Sequence, residues 1–227
     1  MNITDIPLSH DYPIYECSPM DLFFDFNSNK SLQNFWHRVY EKYMHYTDAV
    51  KLYLETEYKN YFQNIAVDKV IGILLRGTDI SAIRPRGHWI QPSPETLINH
   101  AQWLMDKEGY EYIFLATEDL NVYQKFKKVF GKKLLVTKTK FLDYTNYSNY
   151  IIDAQRMNGV DMYQNNLDYL SALYQLSKLK CFLAGNCTGT MGVLILTEGF
   201  DYQYIYNTGR YGIDDKDTLD KKILQLF

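Results

Sequence analysis

The rhythm of apolar and polar positions along the chain changes twice. Residues 1–30 are punctuated by Pro7, Pro13 and Pro19 and hold no sustained period, which predicts an extended or irregular arm. Over 32–62 the apolar residues recur at helical spacing, with Ser31 and Thr47 standing where the N-caps of two helices belong. After Asp68 short apolar runs alternate with helical stretches. Residues 70–75 form one continuous apolar run around Gly72, as expected of a strand covered on both faces. Ser93, Pro94 and Glu95 then supply a cap, a first-turn proline and an acid against the helix dipole. The stripe Leu97, Ala101, Leu104 and Met105 follows, and Gly109 ends the helix. The same reading predicts strands over 112–116 and 133–136 around a helix over 120–130 that Gly131 ends. Beyond them it predicts a helix over 165–177, a strand over 181–184, a tight turn over 185–189, a helix over 191–197 and a last strand over 204–206.

Parallel strands need crossovers, and helices of this length supply them. The predicted fold is therefore α/β, a doubly wound, mostly parallel, Rossmann-like sheet over 67–227, behind a helical N-terminal region over 1–66. Ligands of such sheets bind beyond the carboxyl ends of the strands. Three of those ends carry chemistry: Arg76-Gly77-Thr78-Asp79, Thr117-Glu118-Asp119, and the turn from Gly185 to Thr190.

Composition narrows the functional classes. The 24 basic and 27 acidic residues leave a net charge of −3, and the basic runs are as short as Lys127-Lys128, so a nucleic-acid surface is not expected. No run reaches the roughly eighteen apolar residues of a membrane span, and the start lacks a signal-peptide layout. The cytoplasm is the expected compartment, with the inner face of the membrane as a peripheral alternative. Cys17, Cys181 and Cys187 are expected to be reduced, Cys181 packing as a small apolar residue. The 21 tyrosines invite carbohydrate stacking, but Asn, Ile and Lys are abundant as well, which is the pattern an AT-rich genome gives.

At the end of an apolar run, the Arg76 guanidinium faces either an anion, whose two oxygens its planar fork suits, or an internal carboxylate, Asp79 or Asp119. The Gly185–Thr190 turn leads into a helix and could aim backbone N–H groups, with the hydroxyls of Thr188 and Thr190, at a diphosphate; an ordinary strand-to-helix turn has the same composition. Glu118 and Asp119 open a helix, where capping accounts for them. His88 in its loop is a proton shuttle or a bystander.

Taken in order, the three segments resemble the three-motif signature of the fucosyltransferase superfamily, which includes α-1,6-, α-1,2- and protein O-fucosyltransferases. Its first motif, roughly V-x-G-V-H-x-R-R-T-D, corresponds to Val70-Ile71-Gly72-Ile73-Leu74-Leu75-Arg76-Gly77-Thr78-Asp79. The second, ending A-T-D-D, corresponds to Phe114-Leu115-Ala116-Thr117-Glu118-Asp119. The third corresponds to Leu176-Ser177 through Thr190. The resemblance covers about residues 68–198. It implies a GT-B-like architecture and an inverting, metal-independent transfer from GDP-fucose, without a cofactor, to a glycan acceptor. Arg76 would hold the β-phosphate, Glu118 and Asp119 would shape the pocket, and Thr188, Gly189 and Thr190 would lie at the nucleotide.

The chain departs from the pattern at several points. The motif histidine is Leu74, the second motif arginine is Gly77, and the acid that the α-1,6 enzymes carry five positions after the motif aspartate is Arg84. The aspartate that reads guanine has Asp168 and Ser171 as its candidates. Only about 65 residues precede the first motif, so the acceptor side is expected to be abbreviated or to lie outside these residues. Asp79, with His88 behind it, is the expected base, and Arg76 the charge that stabilises the leaving diphosphate. The alternative is a non-catalytic nucleotide-sugar-binding or scaffolding module that works with a partner chain or as a homo-oligomer.

Overall fold

The computed structural model describes residues 26–27, 29–143 and 150–212. Most of the irregular arm expected over 1–30, with Cys17, lies outside them. Two helices come first, α1 (Lys30–Tyr43) and α2 (Asp48–Phe62). Then follow β1 (Val70–Leu74), a short α3 (Asp79–Ile83), α4 (Pro94–Glu108), β2 (Tyr112–Ala116), α5 (Leu120–Phe130) and β3 (Leu134–Val136). The chain continues through α6 (Ile151–Met157), α7 (Met162–Ser177), β4 (Cys181–Gly185), α8 (Thr188–Leu196) and β5 (Tyr202–Tyr206).

The five strands form one sheet in the order β3-β2-β1-β4-β5, and every neighbouring pair is parallel. This is an α/β fold of Rossmann-like order. The three central strands β1, β2 and β4 alternate between two buried faces, which explains their continuous apolar runs, while the edge strands β3 and β5 are only partly buried. Ile71, Ile73, Ile113, Leu115, Cys181 and Leu183 meet Leu97, Leu104 and Phe126 of α4 and α5. Val70, Leu74, Phe114 and Phe182 meet Leu173 and Leu176 of α7, Val193 of α8 and Phe62 of α2. Gly72 sets how closely α7 lies on β1, because a Cβ there would come within 2.9 Å of both Leu176 and Leu179.

The caps decide where most helices start. Thr47, Ser93, Asp119 and Asp161 each accept a hydrogen bond from a first-turn N–H. On α1 the cap is Asn29, whose Oδ1 accepts from Leu32 N at 3.1 Å, and not Ser31, which falls inside the first turn. Two differences from the sequence reading bear on function. The short helices α3 and α6 were not expected, and α8 begins at Thr188, so Gly189 and Thr190 belong to a helix and not to a loop.

Candidate functional site

The chain runs from β1 outward through β2 to β3, then returns to the other side of β1 to place β4 and β5. The strand order therefore reverses between β1 and β4, and adjoining loops diverge there to leave a crevice. Arg76, one residue beyond Leu75, and Cys187, just before α8, stand on this seam. They line two lobes at once.

The larger lobe has a volume of about 190 Å³ and lies between the ends of β1 and β2 and helix α7. Arg76, Glu118, Thr137, Asn165, Tyr169 and Cys187 line it. The smaller lobe, about 90 Å³, lies on the other side of Arg76, where His88, Trp89, Gln91, Asn186 and Thr188 line it.

Arg76 reaches Asp79 through Nη2, at 3.4 Å from each carboxylate oxygen. This is a long contact for an ion pair, and the Arg76 side chain stays 36% exposed while that of Asp79 is 3% exposed. Desolvation works against the guanidinium charge, but Asp79 and Glu118 more than offset it and raise its pKa. Asp79 itself is fully engaged: Oδ1 accepts from Ile80 N at 2.9 Å and Oδ2 from Ile151 N at 3.2 Å. It lines neither lobe, and the geometry makes it a clamp on Arg76 and on the start of α6. Of the two carboxylates weighed for Arg76, Asp119 is not the partner. Its Oδ1 caps α5, accepting from Asn121 N at 2.8 Å and Val122 N at 3.2 Å.

That cap also explains one departure from the fucosyltransferase pattern. A Cβ on Gly77 would lie 2.5 Å from Asp119 Oδ2, so a second arginine has no room beside this capping carboxylate. No family model matches the chain, and no curated protein does. The likeness to the three motifs stands on the residues themselves.

They come together unequally. Glu118 lines the larger lobe, where burial pushes its carboxyl above the ordinary range against the pull of Arg76; Thr78 Oγ1 donates to it at 2.8 Å. Thr188 and His88 line the smaller lobe. Thr190 is fully buried, and its hydroxyl donates to Gly185 O at 2.6 Å, closing the turn behind the first residues of α8. That hydroxyl is spent inside the fold, a consequence of the earlier helix start. Gly189 is required by close packing, since a Cβ there would collide with the Tyr169 hydroxyl.

Asp168 and Ser171 face α2: Tyr53 of α2 donates to Asp168, and Gln175, on the same helix α7, donates Nε2 to Ser171 Oγ at 3.3 Å. Their helix presents Asn165 and Tyr169 to the larger lobe in their stead. Arg84 is exposed, in the left-handed region at φ 51°, and lines neither lobe.

Sequence reasoning missed Tyr169, Cys187, Asn186 and Gln91 as lining residues. Asn186 and Cys187 lie inside the Gly185–Thr190 turn, where the threonine hydroxyls are the more evident polar groups. Tyr169 is one position from Asp168, and a rotation of one residue on the helix separates the two faces. Gln91 carries no local signal.

The N-terminus of α8 meets the same crevice. Cys187, its N-cap, makes no side-chain cap hydrogen bond, so the first N–H groups of this nine-residue helix have no partner from the cap. A guanidinium and a helix N-terminus on one seam are both groups that favour a negative charge.

Proposed function

We propose that this chain binds a nucleoside diphosphate sugar in the β1–β4 crevice and transfers the sugar to a glycan hydroxyl, with GDP-fucose as donor and a GT-B-like mode of action. The reading rests on one observation above all: Arg76 stands on the switch-point seam beside the uncapped start of α8. In this reading Arg76 and the α8 N–H groups hold the diphosphate and stabilise it as it leaves. Asp79 orients Arg76. His88, on the far side of Arg76, takes the proton of the acceptor hydroxyl.

A guanidinium that grips two phosphate oxygens cannot be replaced by a point charge. Arg76→Lys is expected to weaken GDP-fucose binding about tenfold to a hundredfold in calorimetry, since a charge-assisted hydrogen bond contributes roughly 1.5–3 kcal/mol. Normal affinity in a folded Arg76→Lys protein would remove Arg76 from the donor site. A thermal-shift panel of GDP, UDP, CMP and dTDP sugars tests the base, because a ligand that binds only the folded state raises its melting temperature. A preference for UDP or dTDP compounds would reject GDP-fucose and leave the crevice assignment standing.

A second reading, a binding module without turnover, is favoured by the carboxylates. Among the residues lining the two lobes, Glu118 is the sole carboxyl, and burial favours its neutral form. Slow release of GDP from GDP-fucose, abolished in Arg76→Ala, supports the enzyme; tight binding with no release and no transfer to any acceptor supports the module.

A further inference from the structure

The smaller lobe carries polar groups that the reading above leaves idle. Asn186 is 1% exposed, yet among the described residues neither its Nδ2 nor its Oδ1 has a hydrogen-bond partner. Its backbone carbonyl is occupied, accepting from Gln91 Nε2 at 2.8 Å, and that bond fixes the Gln91 amide against the end of β4. Gln91 Oε1 is left buried and unpartnered as well. The approach exists only because residue 185 is glycine, since a Cβ there would strike the Gln91 amide and stand 2.8 Å from Pro92. Buried amides without partners cost stability, and native proteins leave few of them. Here three such atoms belong to two residues that line one lobe.

Their chemistry is selective. Asn186 Nδ2 offers N–H donors, whereas Asn186 Oδ1 and Gln91 Oε1 offer acceptors. An anion would face two carbonyl oxygens, a cation would face N–H groups and the neighbouring Arg76, and an apolar ligand would leave all three atoms unpaired. Hydroxyl groups, each both donor and acceptor, fit. A volume of about 90 Å³ holds one edge of a sugar ring, and the shared wall of Arg76 and Cys187 puts that edge next to the larger lobe.

We propose that the smaller lobe is a hydroxyl-reading subsite in which the Asn186 carboxamide and Gln91 Oε1 take neighbouring hydroxyls of a pyranose. The assignment rests on the nucleotide-sugar reading of the larger lobe. The ring belongs either to the donor or to the acceptor, and the two sources separate by experiment. Calorimetry on the full chain uses GDP, GDP-fucose and, at saturating GDP, methyl β-galactoside and methyl N-acetyl-β-glucosaminide.

Asn186→Leu, which keeps the shape and removes the unpaired amide, is expected to melt no lower than the unsubstituted protein and to bind GDP equally. It is expected to lose roughly tenfold in affinity for GDP-fucose if the ring is the donor's, or for a methyl glycoside if it is the acceptor's. Unchanged affinity for every sugar-bearing ligand, with GDP still bound, overturns the subsite and spares the nucleotide reading. Failure of the unsubstituted protein to bind GDP at all overturns both. Should the variant not fold, the side-chain amide resonances of Asn186 in the unsubstituted protein carry the test. A shift with a sugar-bearing ligand and none with GDP supports the subsite, and silence toward all of them overturns it.

Discussion

Arg76 and Asp79 form one contact but carry unequal shares of stability. The guanidinium is a third exposed and 3.4 Å from its partner, so removing it costs little; exposed pairs contribute about 0–1 kcal/mol. The carboxylate is buried and serves the N–H groups of Ile80 and Ile151. Asp79→Ala strands both, at an expected cost of about 2–4 kcal/mol in urea denaturation, against less than about 1 kcal/mol for Arg76→Ala. Equal losses would mean that the pair, and not the backbone anchoring, is what Asp79 supplies. His100 offers a second test. It lies 2% exposed between two strand β5 tyrosines, with Nδ1 2.7 Å from the Tyr206 hydroxyl and Nε2 2.9 Å from that of Tyr202. Burial lowers its pKa from 6.5 to about 4. The unfolded chain therefore binds a proton that the folded chain refuses. Its contribution is fully present above about pH 6.5 and is lost as pH falls toward 4, by about 3 kcal/mol in total. In His100→Gln that part of the pH dependence of unfolding free energy is expected to vanish; an unchanged profile would assign it to other groups.

At the scale of elements, a single atom too many at Gly77 should be felt in a helix that begins more than forty residues later. The Cβ of Gly77→Ala meets Asp119 Oδ2 at 2.5 Å and Val122 Cγ2 at 3.1 Å, which drives the carboxylate off the start of α5. Losing an N-cap costs about 1 kcal/mol, so Gly77→Ala and Asp119→Ala are each expected to lower stability by about that much, and the double variant by little more than either. Full additivity would show that the two residues act separately. The strands and long helices were legible in the sequence because the central strands β1, β2 and β4 are buried on both faces and most helices carry their own caps. The short helices were not. α3 spans Asp79–Ile83 and ends at Arg84 in the left-handed region, where its sequence has no glycine to announce a stop. α8 begins at Thr188, where glycine and two threonines resemble a loop; the Thr190 hydroxyl bond to Gly185 O is what closes that turn. The site was legible to the same degree. Arg76 follows from an apolar strand that ends in a cation, while Asn186 and Gln91 meet only because loops distant in sequence converge on the seam.

On the whole-molecule scale, the helices before β1 complete the core on one side of the sheet. Phe62 and Tyr61 of α2 pack against Phe114 of β2, tilted and edge-on respectively, with ring centroids 5.4 and 5.2 Å away. Leu54 is 1% exposed, and its carbonyl accepts from buried Gln175 of α7 at 3.2 Å. Deleting one large core side chain costs about 2–5 kcal/mol, and a domain holds about 5–15 kcal/mol in all. A fragment of residues 67–227 is therefore expected to lose its near-ultraviolet circular dichroism and to bind a hydrophobic dye. A fragment that unfolds cooperatively with native-like spectra would show instead that the first 66 residues are separable.

β1 also has a consequence for the order in which the molecule is made. Its Val70 pairs with Tyr112 on one side, whereas its Ile71 pairs with Cys181 on the other, more than twice as far along the chain. A nascent chain can join β1 to β2 and β3 well before β4 leaves the ribosome, because close pairings form ahead of distant ones. Through that interval one edge of β1 is an open ladder of N–H and C=O groups, the kind of edge that recruits foreign strands. Arg76 is synthesised early but meets α8 late. The crevice thus matures late, and a chain halted before β4 would carry the arginine without the site.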